Sequence, residues 1–327
     1  MTVISGMKFN DWAGAIVADE QVSYGLRKSG LATKLTPLTS NDNSICAVLG
    51  GTGAADVLYD AAKEISHAVK NMDPNKPLTD AQGMADLVSY FLGRVKQKYI
   101  DGYLFAKFRL REIDFQSGNL TTPEGLKPMD PALKEHYQQL ISGQVEAAQF
   151  LNNSFLLLAG DKNGIQLYNT SMFMANPVPV SKPYEIVGLG DTADNELNAF
   201  FENMPREERA NIDQVKGIAA LLNATDRASV RNQGVGGTPL IGIIKDSKFL
   251  MPGENNSKLS VELVKAERHG FLSPQFVYSA LEQLIFGNGQ FEAVEKEMWQ
   301  EASKLGQQEK LDRLLRGYKM PIVRNVN

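Results

Sequence analysis

Thr2 heads a strand-like run, Thr2-Val-Ile-Ser-Gly-Met-Lys-Phe9, and this position gives it chemical interest. A threonine hydroxyl is a poor nucleophile near neutral pH and needs a base. Loss of Met1 would leave an α-amine on the same residue, with an ordinary pKa of ~7.7–8.0. That amine is strong enough to take the hydroxyl proton, directly or through one water, and to return it to a leaving amine. A second feature is Gly50-Gly51-Thr52-Gly53, which follows an apolar run and precedes a helical pattern. Its backbone N–H groups are placed to hold an anion or an oxyanion. Each feature is ordinary by itself, since threonine often follows the initiator and glycine turns are often purely structural.

Other chemistries lack their signatures. His67, His136 and His269 are scattered over helical stretches, so no His-rich metal site is expected. There is no Gly-x-Ser-x-Gly elbow and no Walker-type loop. No metal and no organic cofactor is implied. Gly234-Val235-Gly236-Gly237 precedes a strand instead of a helix, which makes it a weak anion site. Cys46 is the single cysteine, which rules out an internal disulfide framework. It lies in Ile45-Cys-Ala-Val-Leu49 and reads as a buried structural thiol.

Composition narrows the class further. The 327 residues are 43% hydrophobic and 22% charged, as in an ordinary globular chain with room for a large core. Net charge is −4, from 34 Lys+Arg against 38 Asp+Glu, which argues against nucleic acid or an anionic membrane as partner. A secretory signal is not expected, because no basic start leads into an apolar stretch. No apolar run approaches the roughly 20 residues that span a bilayer. These features point to a cytoplasmic protein.

The elements that must position Thr2 follow from periodicity. Residues 2–9 and 14–18 read as two strands joined by a turn at Asn10-Asp11, the second ending on Asp19. Residues 20–44 read as polar loop, and 45–49 as an apolar strand. Ala54, Val57, Leu58, Ala61, Ile65 and Val69 recur at helical spacing up to Asp73-Pro74. A second helix starts near Thr79-Asp80, with Thr79 as N-cap. Residues 100–145 are less regular and carry a short helix near 131–145. Strands at 155–159 and 165–168 form a hairpin around Gly160-Asp-Lys-Asn-Gly164, and 185–188 leads into a helix over 191–204. A helix around 212–225 and a strand at 240–244 follow, and the chain is mainly helical from 258. Strands and helices come in blocks, which favours a layered α+β fold over a doubly wound parallel sheet.

The order of these pieces resembles the N-terminal-nucleophile hydrolases, in particular proteasome β-type subunits and their HslV-like relatives. The residues that carry it are Thr2, the hairpin ending in Asp19, Lys34, and Gly51-Thr52-Gly53-Ala54-Ala55-Asp56 at a helix start. Leu156 to Tyr168 and Val187-Gly188-Leu189-Gly190 match later pieces, so the likeness covers about residues 2–95 and 150–245. It implies a four-layer αββα sandwich of two antiparallel sheets flanked by helices. Residues 1–250 would form that domain, with a helical insertion at about 96–149 and a helical C-terminal extension over 251–327.

The same resemblance implies roles. Lys34 would sit beside the Thr2 hydroxyl and favour its ionisation, Asp19 would hold Lys34 charged, and the Gly51 N–H would bind the oxyanion. The activity implied is that of a threonine-nucleophile amidohydrolase or peptidase acting through an acyl-enzyme on Thr2 after Met1 removal. Its partners would be a peptide or protein substrate and further copies of the chain, in a homo-oligomer such as a ring. Specificity would come from residues flanking Thr2, among them Ser23 and the 26–33 loop. Two places depart from the family. Gly188-Leu189-Gly190 stands where Gly-Ser-Gly is common, with Asp191 or Thr192 as substitutes for the hydroxyl. Asn232 or Asp226 would have to replace a later aspartate. A non-catalytic scaffold or binding protein of the same fold, a ligase passing the same acyl group to an amine, and a small-amide hydrolase remain open alternatives.

Overall fold

Apolar side chains on both faces of the first two strands require cover on both sides, and the architecture supplies it. The computed structural model describes residues 2–20, 22–24, 27–29, 34–73, 78–144, 146–232, 235–287 and 289–315. In chain order the strands are β1 (Val3–Lys8), β2 (Ala13–Ala18), β3 (Val22–Tyr24), β4 (Arg27–Ser29), β5 (Leu35–Thr39) and β6 (Cys46–Thr52). Helices α1 (Ala55–Lys70), α2 (Ala81–Phe108) and α3 (Glu112–Ser117) come next, then the hairpin β7 (Asn119–Thr122) and β8 (Gly125–Pro128) and helix α4 (Pro131–Ile141). Strands β9 (Ser154–Asp161), β10 (Gly164–Ser171), β11 (Val178–Pro179) and β12 (Tyr184–Gly188) lead to α5 (Asp191–Glu202) and α6 (Gln214–Arg231). The chain continues as β13 (Leu240–Lys245), β14 (Lys248–Leu250), α7 (Glu254–Arg268), α8 (Pro274–Ile285), α9 (Phe291–Lys304) and α10 (Gln308–Leu315).

Two five-stranded antiparallel sheets result, in the orders β12-β1-β2-β13-β14 and β11-β10-β9-β6-β5. Strand periodicity sorts their side chains. Ile4, Ile16, Leu35, Cys46, Val48, Leu156 and Leu158 meet in the core between the sheets. Val3, Met7, Ala15 and Val17 point the other way, onto α5 and α6. Ala47, Leu49, Phe155 and Leu157 pack beneath α1 and α2. The fold is therefore the expected α+β sandwich, helices–sheet–sheet–helices. Helices α7 to α10 stack on the α5–α6 side and share its core through Leu259, Leu263, Leu281, Met298 and Leu311. The segment after α2 has a small core of its own, with Ile100, Leu104, Phe115 and Leu140 at its centre. Among the described residues no helix is long and apolar enough to cross a membrane.

Several local readings are corrected. The polar stretch 20–44 contains the β3–β4 hairpin and the edge strand β5, where only loop was expected. Helix α2 runs on to Phe108 because Ile100 and Leu104 continue its buried stripe. Its N-cap is Asp80, not Thr79: the Asp80 carboxylate accepts from Gly83 N at 2.8 Å. Helix α6 reaches Arg231, beyond the expected end near 225.

Candidate active site

Pairing within the first hairpin sets the site. Ile4 faces Ala18, so Thr2 and Asp19 emerge at the same end of β1 and β2. Asp19 N donates to Val3 O at 3.3 Å, and Val3 N donates to Asp19 Oδ1 at 2.9 Å. Lys34 arrives from the other sheet, one residue before β5, and its Nζ lies 2.9 Å from the same Oδ1. Gly236 N donates to Asp19 Oδ2 at 3.1 Å. One carboxylate thus ties the main chain beside Thr2 to Lys34 and to the loop before β13. Thr2 itself is buried.

The Lys34 and Asp19 side chains are 4% and 1% exposed. Taking both charges out of water is expensive, and their attraction at short range offsets that expense. Burial pushes the Asp19 carboxyl above its usual range, against the pull of the Lys34 ammonium and of the two backbone amides. Burial likewise brings the Lys34 ammonium below its usual range, opposed by Asp19 and by the charge of Glu20. Glu20 is in turn held by Thr238, whose N donates to Glu20 Oε2 at 3.2 Å.

The Thr2 carbonyl is fixed from the opposite edge. Val3 pairs with Gly188, and Leu189 N donates to Thr2 O at 2.9 Å. Gly188 has φ +94°, and a methyl group added there would overlap Thr2 O. Only glycine suits both demands. The side chain of Leu189 is 40% exposed and carries no hydroxyl, although its amide does the backbone work of the turn.

Gly51 is placed differently from the turn residue expected. Strand β6 continues through Thr52, opposite Ser154 on β9, and the turn proper is Gly53-Ala54. Gly51 N donates to Lys34 O at 3.2 Å, so an oxyanion would compete with that carbonyl for the hydrogen. Gly53 has φ +137°, and Asn153 fills the space a side chain there would need. Asn153 is 1% exposed and accepts from Ala54 N at 2.7 Å, which holds the start of α1 against β9.

Other candidates have different employment. Asp226 forms an ion pair with Arg268 at 2.7 Å, joining α6 to α7. Asn232 is the C-cap of α6. Asp191 is exposed in the first turn of α5, and Thr192 is half-buried beside it. Ser23 lies in β3, whereas Met1, Gly234 and residues 26 and 30–33 of the specificity loop fall outside the described residues. His67 bonds Asn71, His136 bonds and stacks on Tyr103, and His269 stacks on Phe271. Cys46 is buried between the sheets, where its thiol is pushed up to about 11. Sequence reasoning missed Gly236, Glu20 and Asn153; the glycine run 234–237 was the one visible signal for the first.

The stacked sheets with α1–α2 on one face and α5–α6 on the other define a proteasome-like fold. Among solved structures that share it, Anbu (ancestral beta-subunit) from Yersinia bercovieri superposes with a TM-score of 0.55 at 13% identity, over 82% of this chain and 94% of that one. An Anbu (Gly-1) mutant from Hyphomicrobium sp. strain MC1 gives 0.54 at 12% identity, over 83% and 96%. The helical assembly of the Anbu complex from Pseudomonas aeruginosa gives 0.54 at 12% identity, over 82% and 94%. No protein-family model matches the sequence, and no curated protein matches it either.

Proposed function

We propose that this protein is a threonine-nucleophile amidohydrolase of the peptidase type, a cytoplasmic homo-oligomer acting through an acyl-enzyme on Thr2 once Met1 is removed. The observation that carries the reading is the buried Asp19–Lys34 pair, bonded to the main chain beside Thr2. A charge pair this deep is hard to justify by stability alone, because an apolar pair of similar volume is often as good. In this reading Lys34 Nζ lies beside the Thr2 hydroxyl, where an ammonium would favour the ionised form that a nucleophile needs.

In this reading the Thr2 oxygen adds to a peptide carbonyl while the α-amine takes the hydroxyl proton. Collapse of the tetrahedral species breaks the C–N bond, and the same proton leaves on the departing amine. Water then hydrolyses the ester. Amides of the Gly51–Gly53 segment are the oxyanion donors, with Gly51 releasing its long bond to Lys34 O as charge develops. An amine in place of water would turn the same intermediate toward ligation. Leu189, lacking a hydroxyl beside Thr2, favours a second reading as a scaffold of the same fold without turnover. The helical assembly of a protein with this fold supports self-association here, in a ring or a helical array.

Thr2→Ala tests the proposal. Labelling by a β-lactone directed at nucleophilic threonine should vanish in the variant; undiminished labelling would move the nucleophile elsewhere and leave the scaffold reading standing.

A further inference from the structure

We infer that Thr52 is a positioning residue for Thr2: its hydroxyl holds the freed α-amine in the orientation from which the amine takes the Thr2 proton. The inference rests on the reading of Thr2 as nucleophile and adds a residue to it.

Four observations converge on Thr52. It ends β6 opposite Ser154 and is half-buried. A methyl group on Gly188 would overlap Thr2 O and lie 3.1 Å from Thr52 Oγ1, so the Thr2 carbonyl, Gly188 and the Thr52 hydroxyl border one small volume, and the Thr2 α-nitrogen is two bonds from that carbonyl carbon. The Thr2 carbonyl is already served by Leu189 N at 2.9 Å and does not need the hydroxyl. Leu189 itself brings no polar side chain to that volume, whereas Thr52 brings a hydroxyl from the end of β6. Thr52 is partly open to water, so water is the competing partner of its hydroxyl, and an α-amine freed by removal of Met1 would offer a fixed one.

The chemistry sets the direction of the bond. A neutral α-amine has two hydrogens and one lone pair. If it donates one hydrogen to Thr52 Oγ1, its lone pair stays free for the Thr2 hydroxyl. The same oxygen accepts from the ammonium form and therefore stabilises the charged state. Removing it should weaken catalysis and also make the amine a weaker base. The alternative is that Thr52 is a β-branched strand residue retained for its shape. Thr52→Val keeps that shape and loses only the hydroxyl.

The experiment measures the rate of β-lactone labelling by intact mass, from about pH 5 to about pH 9, across the titration range of an α-amine. Ring opening transfers the Thr2 proton to the released alkoxide, so each adduct adds the full mass of the lactone. Thr52→Val should lose roughly tenfold or more of the plateau rate, within the range expected of general-base catalysis. Its acid limb should also move to lower pH. Thr52→Ser should keep the wild-type midpoint and at least about a third of the rate. Thr52→Ala serves as the second hydroxyl-free variant if Thr52→Val melts early. Wild-type rate and midpoint in Thr52→Val, or a Thr52→Ser variant as slow as Thr52→Val, would overturn the inference. Absence of wild-type labelling at Thr2 would instead overturn the nucleophile reading beneath it.

Discussion

Lys34 Nζ and Asp19 Oδ1 lie 2.9 Å apart, with their side chains 4% and 1% exposed, at the junction of the two sheets. Asp19 comes from the end of β2 and Lys34 from the approach to β5, so the contact also pins one sheet to the other. Lys34→Ala should abolish labelling at Thr2. It should also cost about 3–5 kcal/mol of stability, because Asp19 is left buried without its countercharge. The double variant Asp19→Asn/Lys34→Met removes both charges and should regain part of that stability in a denaturant titration while staying inactive, since Asn keeps one of the two oxygens that accept from Val3 N and Gly236 N. Recovery of labelling along with stability would show that the pair is structural only.

Gly188 makes a sharper steric claim. Its φ of +94° and its contact with the Thr2 carbonyl leave no room for a side chain. Gly188→Ala should destabilise by more than about 2 kcal/mol and shift the Thr2 main chain away from Leu189 N. Labelling should fall even in the fraction that remains folded. A variant with wild-type melting and labelling would mean that this edge of the site tolerates movement.

Much of this framework was legible in the sequence because it rests on short apolar runs and turn chemistry. Strands β1, β2, β6 and β9 are nearly continuous runs buried on both faces, β10 comes near to alternation, and the stripe from Val57 to Val69 carries the helical signal. Edge strand β5 was not legible: it is half exposed and contains Pro37, so its apolar residues Leu35 and Leu38 do not alternate. The resemblance to proteasome β-type subunits implied the Asp19–Lys34 pair, but nothing local showed that Gly236, more than two hundred residues from Asp19, supplies a third bond. The extent of β6 was misjudged for a similar reason. Two glycines look like a turn, and only the partner strand β9 keeps Gly51 and Thr52 in the ladder. Asn153 escaped notice because a buried asparagine that serves a distant helix start has no sequence signature.

Glu262 predicts a pH dependence outside the site. It lies on α7 with no solvent exposure, and neither carboxylate oxygen has a hydrogen-bond partner among the described residues. Burial and the charge of Asp226 raise its carboxyl to about 7, with Lys265 opposing them. A raised acid pKa means that the folded state binds the extra proton. Stability should therefore fall as pH rises from about 4.5 to about 7 and then level off, with a total contribution of about 3 kcal/mol. Glu262→Gln cannot titrate, so chemical denaturation across this range should show a flatter curve. An unchanged slope would assign the titration to another group.

Peptide mapping of lactone-treated protein distinguishes Thr2, with its α-amine free, from any other nucleophile. The expected product is an N-terminal peptide that begins at Thr2 and carries one lactone mass on that residue. A peptide that still begins with Met1, or an adduct found only elsewhere in the chain, would contradict Thr2 as the nucleophile.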